Sequence, residues 1–120
     1  METLIAGLGL LESPRWRDGR LWFSDWTGGV IRSVTPSGRV QTVLEHQSLP
    51  MCFDFLPGQG LLLTSGPQRA VLRFCDGALT RYADLSELSP HGPNDIVVDG
   101  RGNTYVNNVN FDFATGPPRR

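Results

Sequence analysis

The sequence predicts an all-β chain of short strands joined by hairpins. Two series of turn glycines with one period predict it, together with the lack of any sustained helical periodicity. The first series marks three segments that start with a turn glycine and run into an apolar strand, at residues 18–25, 57–64 and 99–106. Their glycines, Gly19, Gly58 and Gly100, are spaced by 39 and 42 residues. The second series interleaves with the first at Gly38 and Gly77, again 39 apart. Asp-Gly and Ser-Gly favour hairpin turns because glycine takes a positive φ without a Cβ clash.

The segments between the markers read as strands. Residues 30–34 and 39–43 alternate or carry β-branched side chains, and 70–74 and 79–82 repeat this one period later. Residues 83–88 have room for one helical turn before Pro90 stops it. Each period of about 40 residues thus holds about four strands, the signature of a β-propeller blade. The first blade is expected over about 13–45 and the second over about 51–84. A third is expected to start at about 94 and to stop after its second strand. A blade buries its two apolar faces only against neighbours, and closed propellers carry about 4 to 8 of them. About two and a half blades predict a partial propeller, with self-association through its open edges.

Composition narrows the function. The 120 residues have a hydrophobic fraction of 39%, enough for a core. Fourteen glycines and nine prolines keep the chain below the ~25–30% of low-complexity sequences. The net charge is −1 and every basic residue is Arg, so the electrostatic footprint of a nucleic-acid binder is missing. Without Lys there is no P-loop and no Schiff base. The apolar stretch at residues 4–11 is too short to span a bilayer, and Glu2 stands where a secretory signal would be basic. Cys52 and Cys75 are read as reduced thiols of a cytoplasmic protein, and no membrane partner is expected. His46 and His91 form no i, i+4 pair, and neither a Cys-x-x-Cys nor a G-x-S-x-G motif occurs.

Two motifs carry a family resemblance. The first is Leu11-Glu12-Ser13-Pro14-Arg15-Trp16, followed by Gly19-Arg20-Leu21-Trp22-Phe23-Ser24-Asp25. The second is Pro93-Asn94-Asp95-Ile96-Val97-Val98-Asp99-Gly100-Arg101-Gly102-Asn103, followed by Tyr105-Val106-Asn107-Asn108 and Phe111-Asp112-Phe113. In this order and at this spacing, over about residues 8–115, the chain resembles the SMP-30/gluconolactonase (regucalcin-like) family. The resemblance implies a six-bladed propeller with one divalent metal ion at the mouth of its channel. It implies metal-dependent hydrolysis of a lactone, either a sugar lactone or a related one. Glu12 matches a metal ligand of the family, and Asn94 matches a residue that faces the site and contacts substrate or metal. The family's other ligands, an Asn and an Asp, and its general base are expected in later blades, so no catalytic residue is assigned. An Arg that contacts sugar in animal members is replaced here by Gly92, so a sugar preference is not carried over.

The residues themselves fit such chemistry. A carboxylate and a carboxamide are hard oxygen donors, suited to Ca²⁺ first, with Mg²⁺, Mn²⁺ or Zn²⁺ as alternatives. Asn107, Asn108 and His91 are candidates for substrate contact, against the plainer readings of strand-end amides and a solvated loop histidine. Asn94-Asp95 also fits an Asx-type turn. Asp54 either lines the channel or serves the fold, and Trp16, Trp22 and Trp26 are read as packing residues. The rival reading is a non-catalytic propeller that binds a partner with its face, or an inactive piece of the family's fold.

Overall fold

A computed structural model describes residues 9–108. Ten strands and no helix occur among the described residues, so the all-β class is what the structure shows. The chain divides into two compact units, residues 1–47 and 48–120.

The first unit is one antiparallel meander of β1 (Leu11–Arg17), β2 (Arg20–Asp25), β3 (Val30–Val34) and β4 (Val40–Glu45). Phe23, Val30, Ile31, Val34 and Leu44 form its buried apolar set. Asp18 and Gly19 join β1 to β2 with both residues at positive φ, 53° and 71°. That is the geometry of a type I′ turn, whose twist matches that of the flanking strands. Trp16 is 64% exposed, so it does not serve as a core residue of this sheet.

The second unit holds a matching meander of β5 (Phe53–Phe55), β6 (Leu61–Ser65), β7 (Ala70–Cys75) and β8 (Ala78–Asp84). It also holds a two-stranded sheet of β9 (Pro93–Val98) and β10 (Thr104–Asn108). Strand β6 is buried along its whole length, and β9 lies against β5 and β6 with Ile96 buried. Strands β5 and β6 are joined through Gly58 and Gly60, at φ 71° and 81°. A Cβ on Gly60 would lie 2.2 Å from the Phe74 carbonyl oxygen, so only glycine fits there.

The two four-stranded sheets repeat in detail. Ile31 pairs with Leu44 and Arg32 with Thr42, which leaves Val43 as an extra residue in β4. Val71 pairs with Ala83 and Leu72 with Arg81, which leaves Tyr82 extra in β8, 39 residues on. His46 N–H donates to the Gly29 carbonyl at 2.8 Å, and Leu85 N–H donates to the Arg69 carbonyl at 2.9 Å. Gly29 and Arg69 both have positive φ.

Two local expectations are modified. Ala83 and Asp84 continue β8, and residues 85–88 form a single turn closed by the Leu88 N–H donating to the Leu85 carbonyl at 3.0 Å. The Asp84 carboxylate accepts the Ser86 N–H at 2.9 Å and caps the start of that turn. The third turn glycine is Gly102, at φ 86°, rather than Gly100. Asp99 decides this: its Oδ1 accepts the N–H groups of Arg101 and Asn103, both at 2.9 Å, and lengthens the turn.

Burial holds the His46 imidazole below its ordinary pKa of 6.5. The folded state therefore binds fewer protons than the unfolded chain as pH falls through about 6.5, and stability declines with it. The melting temperature is expected to fall between pH 7 and pH 5 in a thermal scan, and His46→Gln is expected to flatten that slope. The Asp99 carboxyl is held below its ordinary range, first by the Asn103 side chain. Its contribution is present above its unfolded pKa and is lost only at lower pH, so the two windows separate.

Candidate functional site

Both family-like motifs sit where the first strand of a sheet breaks register. In β1, Glu12 pairs with Ser24 and Arg15 with Trp22, so Ser13 and Pro14 together face Phe23. Ser13 is buried at φ 53°, and Pro14 has no N–H to give to the ladder. This is a β-bulge, which bends the strand and re-aims its side chains. It leaves Glu12 exposed, with Oε2 accepting the Ser13 N–H at 3.1 Å. The buried Ser24 hydroxyl donates to the Glu12 carbonyl at 3.1 Å and fixes the backbone at this point.

Strand β9 has the same defect at its start. Val106 pairs with Ile96 and Asn108 with Pro93, so Asn94 and Asp95 together face Asn107. The Asn107 Oδ1 accepts the Asp95 N–H at 2.9 Å, and Asp95 Oδ1 accepts the Ile96 N–H at 2.8 Å. The fully buried Thr64 hydroxyl donates to the Asn94 carbonyl at 2.9 Å and accepts the Cys52 N–H at 2.9 Å. Asn94 itself is half-buried. Ser24, Thr64 and Asn107 thus do one job in three sheets: a polar side chain near the end of the second strand holds the backbone at the start of a first strand. Sequence reasoning missed Ser24 and Thr64. The signal was a hydroxyl residue at the next-to-last position of β2 and β6.

The structure brings His91, Asn107 and Asn108 around one cleft of about 120 Å³, together with Leu85, Leu88 and Val106. Pro93 also lines it, while Asn94 is the next residue along β9. The His91 N–H donates to Ser89 Oγ at 3.1 Å, which shapes the loop that carries the imidazole. Gly92 lies so close to Gly66 that a Cβ would sit 2.7 Å from the Gly66 Cα. No arginine fits there without moving backbone.

Asp54 serves the fold. Its Oδ2 accepts the Val98 N–H at 2.8 Å, which ties β5 to β9, and its Oδ1 accepts the Phe55 N–H at 2.9 Å. Glu12 belongs to the first unit and Asn94 to the second. Among the described residues no three His, Cys, Asp or Glu side chains cluster as a self-sufficient metal centre. Both cysteines are free. Among the described residues no helix is long and apolar enough to cross a membrane.

Thr64→Val keeps the volume but removes both hydrogen bonds from a buried site. It is expected to cost about 1–3 kcal/mol in denaturant unfolding, with Thr64→Ser recovering most of it. Gly92→Ala is expected to cost about 1–3 kcal/mol by overpacking, because its close neighbour is backbone and has no rotamer to yield.

The family model described as the SMP-30/Gluconolactonase/LRE-like region matches residues 10–118. No curated protein and no solved structure matches the chain.

Proposed function

Because the chain belongs to the SMP-30/gluconolactonase/LRE-like family, a family of β-propellers that includes lactonases, we propose that it serves metal-dependent lactone hydrolysis. The family match over residues 10–118, which takes in both bulged motifs, carries this reading. Glu12 offers an exposed carboxylate from one bulge, and Asn94 offers a carboxamide from the other. These oxygen donors fit a hard divalent cation, Ca²⁺ first, with Mg²⁺, Mn²⁺ or Zn²⁺ as alternatives. When bound, such an ion supplies Lewis-acid activation of a carbonyl.

The chain's own side chains orient the substrate. Asn107 commits its Oδ1 to the Asp95 N–H, so its amide nitrogen is the end that can donate to a lactone oxygen. Asn108 adds a second amide at the same cleft, and His91 adds an imidazole. Ordered donors at the reacting group lower the barrier by positioning and by stabilising developing negative charge. Ser24 and Thr64 act one step back, because they fix the backbone from which Glu12 and Asn94 project.

A pH-indicator assay of lactone hydrolysis checks this reading. Activity is expected to vanish with chelator and to return with Ca²⁺ or Mn²⁺. Glu12→Gln is expected to lose at least about tenfold in metal affinity or rate, the scale on which metal-site substitutions act. A rate indifferent to chelator, or an unimpaired Glu12→Gln, contradicts it.

A further inference from the structure

The cleft beside Asn94 has a chemical character that the family assignment does not specify. Half of its lining residues are apolar: Leu85, Leu88, Pro93 and Val106. Leu88 is 81% exposed at its lip, an aliphatic side chain held in water with no core to join. The other half, Ser89, His91, Asn107 and Asn108, are polar and partly committed. Ser89 Oγ already accepts the His91 N–H, and Asn107 Oδ1 already accepts the Asp95 N–H. Among the described residues no carboxylate or arginine lines it. Neighbouring Gly92 has no side chain and no space for one.

The hydroxyls of a polyol set against Leu85, Leu88, Pro93 and Val106 would meet no polar partner there, and each hydroxyl taken out of water unpaired is costly. An alkyl chain meets no such penalty. A volume of about 120 Å³ is slightly below the ~150 Å³ of an apolar cavity that accepts benzene, so it suits a short aliphatic chain. Ligand sites of this kind combine an apolar wall with a few polar groups that set orientation.

We infer that the cleft takes the aliphatic side chain of an alkyl-substituted lactone, with the Asn107 and Asn108 amides facing the ring oxygens, in preference to a polyhydroxylated sugar lactone. The inference rests on the lactone reading above for its substrate class, and on the cleft alone for its selectivity.

The test compares two five-membered lactones, γ-octalactone with its butyl chain and galactono-1,4-lactone with its hydroxyls. With Ca²⁺ present, kcat/KM is expected to favour γ-octalactone at least about tenfold, since each buried methylene is worth roughly fourfold. Leu88→Asn alters an exposed side chain and is expected to raise the KM for γ-octalactone and narrow that ratio. A binding readout free of catalysis accompanies it: the His91 imidazole ¹H–¹³C NMR signals during titration with each lactone. Movement with γ-octalactone and not with the sugar lactone supports the inference even if neither is hydrolysed, in which case the hydrolase reading alone fails. Equal movement, movement with the sugar lactone only, or faster turnover of the sugar lactone overturns it and leaves the hydrolase reading intact. A His91 signal unmoved by γ-octalactone also overturns it.

Discussion

The arrangement depends on a small set of hydrogen bonds from side chains to backbone. A strand in a regular ladder satisfies its amides with its neighbour, but a bulged strand leaves groups over. Here the missing partners come from Ser24 at the Glu12 carbonyl, Thr64 at the Asn94 carbonyl and the Cys52 N–H, and Asn107 at the Asp95 N–H. These bonds allow β1 and β9 to begin out of register with those backbone groups satisfied. The irregularity leaves Glu12 exposed and places Asn94 and Asp95 together against one residue of β10.

The period of the fold was legible because its markers are local. An Asp-Gly pair specifies its own turn, and Gly19, Gly38, Gly58 and Gly77 all take the positive φ their positions suggested. The third marker misled because Asp99 acts through space on Arg101 and Asn103, which moves the left-handed residue to Gly102. The expected turn at 83–88 is shortened to residues 85–88, because β8 runs on through Asp84, whose carboxylate then caps the turn at the Ser86 amide. In both places a carboxylate side chain sets the local backbone, and dipeptide rules do not see that contact.

The candidate site was legible in part. Its residue types were visible, and three of the named side chains, His91, Asn107 and Asn108, do surround one cleft. Their division of labour was hidden. Asn107 has its Oδ1 committed to the fold while the residue lines the cleft, and Asp54 ties β5 to β9 by its bond to Val98. Thr64 attracted no notice because its importance lies in a contact 30 residues away in the chain. Such contacts leave no periodic trace.

The close approach of Gly66 and Gly92 has a consequence for how selectivity can evolve. Two backbones that touch without intervening side chains form a seam at which neither position drifts alone. An ancestor or descendant with a cation at position 92 must also have reshaped the loop that bears residue 66. A large side chain at either position therefore comes as a paired, loop-scale step, and single codon changes sampled by mutation do not reach it.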